Sequence, residues 1–119
     1  MARATITKTT VVGPYPALPI TALSLNITWV QADAVNKNQI SPTGDDLILV
    51  KNTGASGHNF TLTSVADQLQ RTGDVGPYAL GAGLDAGFRF KNAGWLQGDG
   101  KIYLEADSNE IYFAHIALP

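Results

Sequence analysis

At 119 residues, with 45% hydrophobic and 15% charged residues and no cysteine, the chain has material for one domain, because a second core would be starved of apolar surface. The missing cysteines exclude disulfide frameworks, thiolate catalysis and the usual zinc sites. A formal net charge of −2 argues against the basic footprint that neutralises many phosphates, so no nucleic-acid partner is expected.

Residues 1–21 differ from the rest. They carry Arg3, Lys8, no acidic residue and the stretch Gly13-Pro14-Tyr15-Pro16-Ala17-Leu18-Pro19. Prolines so closely spaced exclude helix and remove ladder donors, which predicts an extended N-terminal arm with Tyr15 and Leu18 as apolar anchors. No apolar run is long enough for a secretory leader, and none approaches the roughly 20 residues that span a bilayer, so synthesis in a cytoplasm and no membrane partner are expected.

Residues 22–119 read as one β domain. Leu25, Ile27 and Trp29 alternate with polar neighbours in a half-buried strand that begins at Ser24, with Trp29 in the core. Residues 31–39 form a connection, and Ser41-Pro42-Thr43-Gly44 a turn. The apolar run from Asp46 to Asn52 predicts a central strand buried on both faces. A turn over 52–57 joins it to a strand in which His58, Phe60 and Leu62 share a face, and the two runs about a glycine-rich turn predict a hairpin. Ala66 to Pro77 reads as a long surface loop, followed by short strands at Tyr78-Ala79-Leu80, around Phe88 and Phe90, at 101–106 and at 110–118. Short strands spaced by turns imply an all-β fold, a β-sandwich or jelly-roll-like barrel.

Candidate chemistry is sparse. The chain lacks Gly-x-Ser-x-Gly. His58 and His115 fall within strands, where a half-buried histidine bonded to a backbone group is the ordinary case, and two histidines fall short of a cupin-like metal set. The aspartates lie mostly beside Gly, Ser or Asn, where they cap turns. The sequons at Asn26 and Asn59 have no secretory context. Trp29, Tyr78, Trp95 and Tyr103 could form a sugar platform, and Trp95, beside Gly94, is the candidate exposed aromatic. No catalytic residue, cofactor or metal is predicted, and no enzymatic activity.

Several stretches in order, namely MARATIT with GPYP, LILVKNTGAS, TSVADQLQRTGDV, GWLQGDGKIYLEA and IYFAHIALP, resemble small phage and prophage head proteins of the decoration (cement, auxiliary capsid) type. The resemblance covers nearly the whole chain and rests on turns and strands. It implies a structural virion protein on the outer capsid surface that bridges and stabilises major capsid protein subunits, as a homo-oligomer, with a trimer favoured. The expected capsid or subunit contacts are Arg3, Lys8, Tyr15, Leu18, Gln70, Arg71 and Asp74. A carbohydrate-binding β-sandwich module and a phage tail-associated structural protein are the alternatives.

Overall fold

A computed structural model describes residues 3–10, 27–66, 69–70 and 72–118. Among these residues there are ten strands: β1 (Ala4–Thr5), β2 (Lys8–Thr10), β3 (Val30–Gln31), β4 (Asn38–Ile40), β5 (Asp45–Asn52), β6 (His58–Thr63), β7 (Val75–Leu80), β8 (Asp85–Lys91), β9 (Ile102–Ala106) and β10 (Ile111–Ala117). They make two mixed sheets. The first has the order β1-β4-β9-β6-β7 and the second β2-β10-β5-β8, with β3 also on β10. The fold is all-β, as the strand spacing predicts, and is a sandwich.

Period-two patterning builds the core. Ile48 and Val50 from β5, Phe60 and Leu62 from β6, Ile102 and Leu104 from β9, and Ile111 and Phe113 from β10 are buried between the sheets. Each fully buried aliphatic or aromatic side chain contributes roughly 1.5–3 kcal/mol, so these eight carry much of the stability. β5 is central, between β10 and β8, as expected, but only one of its faces is fully buried. Its burial alternates strictly, and Leu47 and Leu49 on the outer side are half-buried. An apolar residue on the outward face was indistinguishable, in sequence, from one on a second buried face.

The boundary at residue 21 is displaced by the structure. β1 runs parallel to β4 in one sheet and β2 parallel to β10 in the other. Between them Ile6 is 2% exposed, and its N–H donates to Gln39 O at 2.9 Å. The first strand thus crosses from sheet to sheet, and residues 3–10 belong to the sandwich rather than to a separate arm. The prolines that suggested an arm begin only at Pro14, within 11–26, which lies outside the described residues, as do Tyr15, Leu18 and Arg71. What flanks that stretch is described: β2 and β3 occupy the same edge of β10, and Thr28 N–H donates to Thr9 Oγ1 at 3.3 Å. Segment 11–26 therefore leaves and re-enters the domain through adjacent points.

The strand expected from Ser24 is confined, among the described residues, to Val30–Gln31. The strand expected over Tyr78–Leu80 instead begins at Val75 and includes Gly76 and Pro77. Proline is compatible with that position because β7 is an edge strand, where one side needs no ladder donors.

Candidate binding surface

The strand registers sort the connections to the two ends of the sandwich. At one end lie the connections 32–37, 53–57, 81–84 and 107–110. At the other lie the turn 41–44, the loop 64–74, the connection 92–101 and the points where segment 11–26 leaves and returns. This second end carries Gln70, Asp74 and Trp95 on the side of β7 and β8 and, across the sheets on the side of β2, the base of the segment that carries Tyr15 and Leu18. Lys8, exposed at the start of β2, lies near it.

Each connection at that end is fixed by a particular polar contact. Asp74 Oδ1 accepts from both the backbone N–H and the hydroxyl of Ser64, at 2.8 and 3.0 Å, and Gly73 N–H donates to Ser64 Oγ at 2.9 Å. The loop is thereby closed at its neck, with Gln70 beyond it and exposed. Val65 N–H donates to Gly94 O, and Gln97 Nε2 to Thr63 O, so the two long connections are tied together. Between them is a shallow depression of about 280 Å³ lined by Ser64, Thr72, Gly73, Gly94 and Trp95.

Trp95, expected as the exposed aromatic, is half-buried and packs edge-on against Phe90 with ring centroids 4.7 Å apart. Tight turning after Asn92, with Trp95 N–H bonded to Asn92 O, folds the indole back onto the core. Trp29, expected in the core, lies on the outer side of the second sheet under the Lys51 ammonium, 4.3 Å from its ring centroid. The two tryptophans thus exchange the roles that flanking residues suggested. Tyr103 lies on the outer side of the first sheet beneath Arg3, and Tyr78 stands against Phe60 and Phe88. The four aromatics do not share a face, so no sugar platform of that composition is assembled.

Arg3, expected at a capsid contact, is held within its own sheet. Its guanidinium donates to Asn38 O at 3.2 Å and to Glu105 Oε1 at 3.0 Å, and its Cζ lies 3.9 Å from the Tyr103 ring centroid. Lys37 reaches the same Glu105 oxygen at 3.3 Å. A planar guanidinium suits this combined stacking and pairing. Nothing in the neighbourhood of either residue along the chain signals it, because Arg3 and Glu105 are joined only by the β1–β4–β9 adjacency.

Three further polar pairs lie toward the end that carries the 41–44 turn. Asp46 and His115, both buried on the inner face, pair through Oδ1 and Nε2 at 2.6 Å. Asp46 also accepts from Thr43 N–H, Thr43 Oγ1–H and Gly44 N–H, which shapes the 41–44 turn. His115 lies on a strand as expected, but it is fully buried rather than half-buried and its partner is a carboxylate rather than a backbone group. A sequence signal existed: an Asp at the first inward position of an apolar alternating strand requires a partner. On the outside, Arg89 grips Asp45 through two hydrogen bonds of 2.7 and 2.6 Å, and this holds the Asp45 carboxyl below the usual carboxylate range. Tyr103 OH donates to Asp99 Oδ2 at 2.6 Å, which lowers the Asp99 carboxyl and raises the phenol.

At the opposite end His58 meets Glu110 at 2.9 Å. Among the described residues no group of three or more His, Cys, Asp or Glu is arranged to hold a metal ion, and no helix is long and apolar enough to cross a membrane. No protein-family model, characterised protein or solved structure matches the chain.

Proposed function

We propose that this sandwich is a structural virion protein that decorates the outer surface of an assembled phage capsid, bridging major capsid subunits without catalysing a reaction. The observation that carries the reading is that the loop holding Gln70 and Asp74, the Trp95 connection and the base of the proline-spaced segment are all presented at one end of the sandwich. A rigid two-sheet scaffold presenting several loops at one end is how β-sandwiches commonly offer a binding surface. The family resemblance of the sequence words supports the same partner class. Many copies of a modest contact, repeated over a lattice, stabilise a shell that one contact could not.

Arg3 takes no part in this surface, since its guanidinium is occupied in its own sheet. The expected contacts reduce to Lys8, Gln70 and Asp74 among the described residues, together with Tyr15, Leu18 and Arg71. The test is co-sedimentation of the purified protein with assembled, undecorated heads, followed by electron cryomicroscopy. Saturable density at fixed lattice positions supports decoration. Binding to tails and not heads selects the tail-associated alternative, and binding to neither removes the virion reading.

A further inference from the structure

β8 is the free edge of the second sheet. β5 pairs with one side of it, and among the described residues no strand pairs with the other. Open edges are ordinarily blunted by brevity, proline, bulges or charge. The remaining edges follow that rule: β7 contains Pro77 and its register with β6 is broken between Phe60 and Leu62, while β1 has two residues and β2 three. β8 has seven residues, no proline and an unbroken register with β5 from Asp85 to Lys91.

The residues of β8 are complementary to themselves when reversed. If two copies pair antiparallel with Phe88 opposite Phe88, Asp85 faces Lys91, Gly87 faces Arg89 and Ala86 faces Phe90, each twice. On the outer side, opposite charges then meet at both ends of the seam, and the Arg89 side chain, already oriented by Asp45, lies beside a residue without a side chain. On the inner side a methyl group meets a ring. This symmetric register is the one that pairs all seven residues. Asp85 and Lys91 stand opposite Lys51 and Asp45 on β5, and neither makes a hydrogen bond to another described side chain, so each exposed charge can also face the seam.

The surroundings agree. Among the described residues four large apolar side chains are exposed, and two of them border this edge. Leu84 immediately precedes β8, and Tyr78 stands edge-on to Phe88 with ring centroids 6.0 Å apart. A second copy joined at β8 would cover both.

We propose that β8 is a self-association edge, which joins two copies of this chain about a two-fold axis at Phe88 into one continuous sheet. The proposal is independent of what the opposite surfaces bind, and symmetric closure of this kind leaves no further free strand at the seam. Edge pairing gives main-chain hydrogen bonds their second partner, and the side-chain pairs fix the register.

Sedimentation of the full chain over a range of concentrations is expected to show a reversible dimer. Lys91→Glu or Asp85→Lys alone places like charges opposite each other twice, and each is expected to weaken the dimer about tenfold. The double swap Asp85→Lys with Lys91→Glu restores the pairing and should restore association. Should a single variant fold poorly, hydrogen exchange of the unaltered protein reads the same edge, with protection of β8 amides rising with concentration. A monomer throughout, an oligomer indifferent to both swaps, or β8 amides whose protection ignores concentration would each overturn the proposal.

Discussion

His115 Nε2 lies 2.6 Å from Asp46 Oδ1, and the two side chains are 1% and 0% exposed. The pair links the last strand of the second sheet to its central strand at the level where the 41–44 turn closes that end. Asp46 is saturated with donors, whereas His115 Nδ1 is buried without a hydrogen-bond partner among the described residues. Removing the carboxylate therefore leaves a buried imidazole with neither nitrogen bonded. Asp46→Ala is expected to cost on the order of 3 kcal/mol, measured by urea denaturation, with a change well under 1 kcal/mol showing that the pair is not structural.

The first strand gives a prediction of opposite character to that of an arm. Ile6→Ala should destabilise the domain by about 2–5 kcal/mol, the ordinary cost of emptying a buried aliphatic site. Replacing residues 13–20 with a short Gly-Ser linker should leave the melting transition nearly unchanged but weaken head binding. Thermal denaturation and co-sedimentation separate the two effects. Equal loss of stability from both changes would mean that the segment is part of the core.

Gly76 adopts φ +106°, and a Cβ there would stand 2.5 Å from Phe60 O and 2.6 Å from Tyr78 N. Both neighbours are backbone atoms that cannot swing aside. Gly76→Ala should cost about 2 kcal/mol or more through strain and displaced pairing of β7. Gly44→Ala shares the positive φ but meets nothing within 4 Å, so it isolates the conformational part. Equal effects of the two would show that crowding against β6 is unimportant.

The Asp99–Tyr103 hydrogen bond should leave a mark on both sides of neutrality. The Asp99 carboxyl is lowered by the phenol that donates to it, so its contribution is complete above the ordinary carboxylate value near 3.8 and is lost as pH falls through the lower folded value. Tyr103 is raised by the same bond above 10.0, so its contribution is complete below that value and is lost as pH rises through the higher folded one. Tyr103→Phe should flatten both limbs, and in an absorbance titration Asp99→Asn should bring the Tyr103 ionisation to lower pH. A Tyr103 ionisation unmoved by Asp99→Asn would discount the bond.

Alternation and turn chemistry made most of the sandwich legible. The core positions in β5, β6 and β9 stand at every second residue, so period two finds them without knowledge of their partners, whereas β10 is buried at every residue from Phe113 to Ala117. What remained hidden depended on which strands become neighbours. Arg3 meets Glu105 only because β1 adds to β4 and β4 to β9. Trp29 and Trp95 were misplaced because local polarity reports the segment and not the direction in which a turn folds its side chain. The site was legible as loops, and their placement at one end of the sandwich was not, since that requires the registers of both sheets.

β10 touches β2, β3 and β5, so three widely separated parts of the chain wait for it. The pair Lys8–His115 spans nearly the whole sequence. Until that strand has left the ribosome, the second sheet has a middle without its neighbour and Ile6 has no closed core to enter. Folding should therefore be slow and all-or-none, as expected where distant pairings dominate, so truncations from the far end would yield unfolded chains rather than a smaller sandwich.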